Sequence, residues 1–278
     1  MTETPATPLV SFELAVRIGS SAILIALAIV SLYYGGLVFA VWVSFAATWA
    51  LREWHRLING GRLSPETIPT ALSVIAVSVL TAEHVTLYWS LTAIALGAAA
   101  AASIAAFRKA WMGWHAFGAL YLGIPALALV MLREQLPRHG LLLGGVFVAV
   151  WAADTGALVV GRLFGGPKLA PKLSPNKTWA GLIGGILAAG ATEGVYAYAV
   201  SGFVLSAVLF GFFLALVGHC GDLFESWVKR RFQAKVTGRL IPGHGGMLDR
   251  IDSLLFAAPA AALLILAGGI DPIFGVAP

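Results

Sequence analysis

Long apolar runs separated by short polar joints dominate the chain. A membrane-crossing helix needs about 20 mostly apolar residues. Runs of that kind recur at 17–34, 36–51, 67–82, 86–107, 114–132, 140–160, 180–200, 203–221 and 253–270. The pattern predicts an all-α, polytopic integral membrane protein with about nine transmembrane helices. Gly35 and Gly36 mark the turn between the first two runs. The first run follows a start that is not basic and precedes no convincing cleavage site, so it reads as a retained helix rather than a signal peptide. Two joints stand apart from the rest. Residues 161–179 and 226–252 are long, basic and rich in Gly and Pro, beyond what a simple connection needs.

Composition agrees with the membrane reading. Hydrophobic residues make up 59% of the 278 positions and charged residues 11%, with a mean hydropathy of +0.87. A soluble domain carries roughly a quarter charged residues, whereas lipid solvates apolar faces directly. The one cysteine, Cys220, excludes an intramolecular disulfide and reads as a small packing residue.

The net charge of +5 sharpens the topology. Fifteen of the 18 Lys and Arg fall in the connections after the second, fourth, sixth and eighth runs. Positive loops stay in the cytoplasm, so the amino terminus is expected inside and the carboxyl terminus outside. The basic excess is read as topology, and no nucleic-acid partner is expected. Residues 1–135 are expected to form a lipid-facing scaffold, and 136–278 a catalytic region presenting its two long loops to the cytoplasm.

With only 13 acids in the chain, their positions inform. Asp222 and Glu225 are three residues apart, as are Asp249 and Asp252. On helices such pairs share a face, so two helices can aim four carboxylates at one point. Carboxylates beside a dense basic loop suit a divalent cation holding a polyphosphate. The bland alternative is that each acid is simply paired with a neighbouring Lys or Arg. Between the acids runs Ile241-Pro-Gly-His244-Gly245-Gly246-Met-Leu-Asp249-Arg250, whose glycines let backbone N–H groups approach an anion. The 161–179 loop holds four cations and no acid, and its Ser174-Pro-Asn-Lys177-Thr178 adds hydroxyl donors. Thr178 is also placed to cap the seventh helix.

These strings resemble a known family. Ser226-Trp-Val-Lys229-Arg230, Lys235 and the run from Leu240 to Asp252 look like the signature of phosphatidate cytidylyltransferases, the CDP-diacylglycerol synthases. Gly221-Asp222-Leu-Phe-Glu225-Ser226 and Ser174-Pro-Asn-Lys-Thr-Trp179 are similar to it as well. The resemblance is dense over about 151–260, and rests on hydropathy alone before that. The chain departs from the pattern at Val236 and Ala180, where the family usually carries acids.

The resemblance implies transfer of a cytidylyl group from CTP to phosphatidic acid, giving CDP-diacylglycerol and pyrophosphate. It implies Asp222 and Asp249 as holders of Mg²⁺, with Glu225 and Asp252 assisting. Lys229, Arg230, Lys235 and Arg250 would meet the phosphates of CTP. Gly245 and Gly246 would offer backbone donors, and His244 a phosphate donor or a structural partner. Ser174, Lys177 and Thr178 would hold the lipid phosphate or the nucleotide. The resemblance leaves open a second, monovalent cation and a homodimer. The compact chain fits a bacterial plasma (inner) membrane, and the basic loops put the expected site on its cytoplasmic side. Two rivals are a CTP-dependent lipid-alcohol kinase and an ion-coupled transporter using Asp154, Glu193 and His219.

Overall fold

The protein is described by a computed structural model over residues 9–134, 140–202, 204–238 and 245–268, without the side chains of 9–18, 20 and 21. The described residues form helices α1 (Leu9–Tyr34), α2 (Gly36–Ile58), α3 (Thr67–Ala82), α4 (Leu87–Phe107), α5 (Met112–Glu134) and α6 (Leu141–Phe164). A short antiparallel hairpin follows, with β1 (Lys168–Ala170) and β2 (Ser174–Thr178). The chain then forms α7 (Trp179–Val200), α8 (Leu205–Arg231) and α9 (Leu248–Gly268).

Among the described residues, six helices are long and apolar enough to cross a membrane: α4 to α9. Helix α3 and the Ala22–Tyr34 part of α1 are apolar but shorter. The last two turns of α2 carry Arg52, Glu53, His55 and Arg56, which cuts its apolar run short.

Three boundaries differ from the sequence expectation. Helix α8 continues ten residues past the expected end of its apolar run, so Lys229 and Arg230, expected in the 226–252 loop, are helical. Helix α9 starts at Leu248, which puts Asp249 and Asp252 in its first two turns. The hairpin lies inside the 161–179 connection, so the fold is not purely helical. In all three places polar residues hid regular structure, because apolar runs report membrane depth rather than helix length.

Two groups of helices pack together. Helices α2 to α5 contact one another, α6 packs on α7, α7 on α8 and α8 on α9. Helix α9 joins the groups through contacts with α2 and α5. The α6–α7 interface is built on small residues. A Cβ added at Gly156 would meet Ala188, one at Gly181 would lie 2.9 Å from the Ala157 carbonyl, and one at Gly184 would overlap Val160. Small residues let membrane helices approach closely where no hydrophobic force draws them together.

The α1–α2 turn is clamped from α5. Arg133 Nε donates to the Leu32 carbonyl at 2.7 Å and Nη2 to that of Tyr33 at 3.2 Å. Those carbonyls end α1 and lack helical partners. The Gly36 N–H donates to Glu134 Oε1 at 2.7 Å.

Candidate active site

At one end of the bundle α6, the hairpin, α7, α8 and α9 enclose a cavity of about 740 Å³. Helix α8 presents His219 and Asp222, and α9 presents Asp249, Arg250, Asp252 and Ser253. Helix α6 contributes Asp154 and Arg162, and the hairpin contributes Lys168, Asn176, Lys177 and Thr178. Thr178 closes the hairpin and starts α7: its hydroxyl accepts the Gly181 N–H at 3.0 Å. The Ser-Pro-Asn-Lys-Thr string is therefore a strand that ends in a helix cap and holds Lys177 over the cavity.

Oxygens of Asp222, Glu225 and Asp252 lie within 4.8 Å of one another. Asp222 and Glu225 come from the same face of α8, and Asp252 from the facing turn of α9. A Cβ at Gly221 would lie 2.6 Å from the Asp252 carbonyl, so a glycine there lets α9 close on α8. Lys177 forms an ion pair with Asp222. Glu225 is 1% exposed and its Oε1 has no hydrogen-bond partner among the described residues. An orphaned carboxylate oxygen inside a three-acid cluster fits a hard, oxygen-loving cation such as Mg²⁺.

Asp249 is placed differently. Its Oδ1 accepts from Lys229 Nζ at 2.9 Å. Its Oδ2 accepts from the Gly246 N–H at 3.0 Å, the Thr237 N–H at 3.2 Å and the Thr237 hydroxyl at 3.0 Å. The structure thus groups Asp222 with Glu225 and Asp252, while Asp249 is engaged by protein donors. Lys229 also pairs with Glu225 at 2.6 Å, so it bridges the two sets.

The remaining candidates scatter. Arg230 Nε donates to the Leu173 carbonyl at 3.2 Å, tying α8 to the hairpin turn. Lys235 is exposed, and Ser174 pairs in register with Ala170. Gly245 has a φ of +86°, which only glycine adopts freely. The Gly246 N–H is spent on Asp249. His244 lies outside the described residues.

Four residues at or beside the site are not among the site residues the sequence singled out. Asp154 enters there only through the transport reading, yet it faces the nucleotide-sized cavity. Arg162 and Lys168, two of the four cations counted in the 161–179 loop, line the same wall. Glu53 accepts the N–H groups of Met247 and Leu248 from 194 and 195 residues away. No local signal in Arg52-Glu53-Trp54 announces that contact. Glu193, offered for the transport reading, is on α7 and fully buried, and neither of its oxygens has a hydrogen-bond partner among the described residues.

A second cavity of about 500 Å³ lies beside the first. Its walls are apolar and come from α1, α2, α5, α6 and α9, including Phe39, Trp42, Ala46, Phe147 and Leu254. The two cavities share Asp154 and Arg250. A polar chamber therefore meets an apolar one at an acid and an arginine.

The sequence profile described as "Cytidylyltransferase family" matches residues 15–267. The chain belongs to the cytidylyltransferase family. Among its relatives is a phosphatidate cytidylyltransferase of Brucella suis biovar 1, 48% identical over 167 residues, which cover 58% of this chain and 59% of that one. A phosphatidate cytidylyltransferase of Rickettsia bellii is 39% identical over 150 residues, covering 51% and 64%. The chain thus spans about three fifths of the length of the relatives it matches.

Proposed function

We propose that this protein transfers the cytidylyl group of CTP to phosphatidic acid, forming CDP-diacylglycerol and pyrophosphate. The observation that carries the reading is the junction of the two cavities. A reaction between a water-soluble triphosphate and a two-chain lipid needs a charged chamber open to an apolar one, with a cation where they meet. Arg250 lies at that junction. The family membership and the names of the Brucella and Rickettsia relatives support the same chemistry.

In this reading the triphosphate occupies the chamber lined by Arg162, Lys168 and Lys177, and the lipid phosphate approaches from the Arg250 side. An oxygen of that phosphate attacks the α-phosphorus of CTP. The bond from this phosphorus to its bridging oxygen breaks, and the electron pair leaves with pyrophosphate. The nucleophile is already an anion, so no strong base is needed. Positioning and neutralisation of two mutually repelling phosphates do most of the catalysis. Mg²⁺, held by Asp222, Glu225 and Asp252 with Asp249 behind them, would supply part of that neutralisation. Lys177 would move from Asp222 towards the phosphates once that carboxylate has another cation to face.

The same reading takes nine membrane crossings, a cytoplasmic amino terminus and a cytoplasmic active site in a bacterial plasma membrane. The basic residues gathered in alternate connections support it. A homodimer and a monovalent cation rest on family resemblance alone. The test is release of pyrophosphate by purified protein in detergent with Mg²⁺. Release that requires both CTP and phosphatidic acid supports the proposal, and release of CDP and a lipid monophosphate from a lipid alcohol would replace it with the kinase reading.

A further inference from the structure

Resting on the cytidylyl-transfer reading and deepening it, we infer that Glu53 is a positioning residue for the reaction, holding Thr237 and the start of α9 around its carboxylate. Glu53 stands near the end of α2, 3% exposed, and does not line the polar cavity. Its Oε1 accepts the Met247 N–H at 3.1 Å, and its Oε2 accepts the Leu248 N–H at 2.9 Å and faces the Thr237 hydroxyl at 3.2 Å. The first N–H groups of a helix have no partner within it, and a carboxylate there also meets the positive end of the helix dipole. Glu53 thus caps α9 from another helix.

The chain is shaped to wrap this carboxylate. A Cβ at Gly238 would overlap Glu53 Oε1, and a Cβ at Gly246 would overlap Glu53 Oε2. Both positions have to be small for Thr237 and the start of α9 to reach this carboxylate. The contact then passes to the chemistry. The single hydroxyl proton of Thr237 can serve Glu53 or Asp249, and the Thr237 N–H goes to Asp249. Asp249 holds Lys229, and Lys229 pairs with Glu225. Asp252, the acid that completes the cluster, is one turn further along the helix that Glu53 caps.

The post itself is fixed. The next residue, Trp54, donates from Nε1 to the Trp114 carbonyl at 3.0 Å. His55 is fully buried, with Nδ1 at 2.8 Å from His115 Nδ1 and Nε2 at 3.0 Å from the Thr70 hydroxyl. Anchoring groups on a packed element are what keep a site within tolerance. The amino-terminal helices therefore do more than face lipid: they cap the helix that carries Asp249 and Asp252.

The experiment uses the full chain in detergent and compares wild type with Glu53→Gln, Glu53→Asp, Gly238→Ala and the double variant Gly238→Ala/Glu53→Asp. Glu53→Gln keeps the size but turns an amide NH₂ towards a backbone donor. We expect KM for CTP and the Mg²⁺ concentration for half-maximal rate to rise roughly tenfold or more, the loss typical of a charge-assisted hydrogen bond. Gly238→Ala should lose most activity, and adding Glu53→Asp should restore part of it, because the shorter acid makes room. Trypsin cleavage after exposed Lys235, read by mass spectrometry, should be faster in Glu53→Gln, and this readout does not depend on turnover. If wild type transfers no cytidylyl group, the functional reading fails while the cleavage result still judges the hold of Glu53 on Thr237 and α9. Unchanged KM and Mg²⁺ dependence, with kcat falling only in step with folded protein, would reduce Glu53 to a strut and overturn the inference, as would unchanged cleavage.

Discussion

Lys229 Nζ lies 2.9 Å from Asp249 Oδ1, joining the end of α8 to the start of α9 at a sequence separation of 20. The same ammonium lies 2.6 Å from Glu225, and all three side chains are largely buried. Two acids brought this close out of water need the cation between them. Replacing Lys229 with Met would leave both carboxylates unpaired. Removing one partner of a buried pair costs about 3–5 kcal/mol. Lys229→Met should therefore unfold well below wild type in a thermal scan, and its cytidylyl transfer should fall by roughly a hundredfold or more.

The acid cluster separates from Asp249 by its response to metal. Asp222→Asn and Asp252→Asn each remove one arm of the three-acid group. Both should raise the Mg²⁺ concentration for half-maximal rate, and excess Mg²⁺ should recover part of the activity. Asp249→Asn loses the Lys229 pair and the fixed Thr237 and Gly246 contacts. It should lose turnover that added Mg²⁺ does not restore. Mg²⁺ titrations of the three variants at saturating CTP check the difference.

The apolar cavity gives a separable effect on the lipid. Ala46 is half-buried in its wall, away from the acids. Ala46→Phe places a ring where the lipid chains are proposed to lie. KM for phosphatidic acid should rise several-fold while KM for CTP stays at the wild-type value. Initial rates over a grid of both substrates in mixed micelles provide the comparison.

These predictions draw unevenly on sequence and structure. Asp222 and Glu225 were readable as a same-face pair because i,i+3 spacing carries over directly to a helix. The helices themselves were readable because lipid demands long apolar runs. The continuation of α8 through Lys229 to Arg231 was not, since a helix leaving the membrane turns polar without ending. The hairpin was hidden as well: its five-residue strand contains Pro175 and no alternating apolar pattern. Glu53 shows the deeper limit. Its partners are Met247 and Leu248, and nothing near residue 53 records a contact made at the far end of the chain.

Outside the membrane-spanning helices, Glu66 supplies a pH prediction. It is fully buried at the start of α3, hydrogen-bonded by Ser64 and reached by Arg108 Nη1 at 2.7 and 2.8 Å. Burial works to raise its pKa. The Ser64 hydroxyl, its own backbone, His115 and Arg108 outweigh that and hold the carboxyl below its ordinary value. A depressed native pKa means the unfolded chain binds the proton more readily. The contribution to stability is present above the ordinary carboxyl range and lost as pH falls through the native value. Thermal unfolding of wild type and Glu66→Gln should show wild type ahead at neutral pH, with the gap closing as pH drops through that range.

The most direct measurement follows the phosphorus atoms. Purified protein in detergent would be incubated with phosphatidic acid, Mg²⁺ and CTP labelled at either the α- or the γ-phosphate. The account predicts α-label in the lipid and γ-label in pyrophosphate, in equal amounts. It would be contradicted by γ-label in a lipid product, or by no movement of either label under conditions where the Brucella suis relative is active.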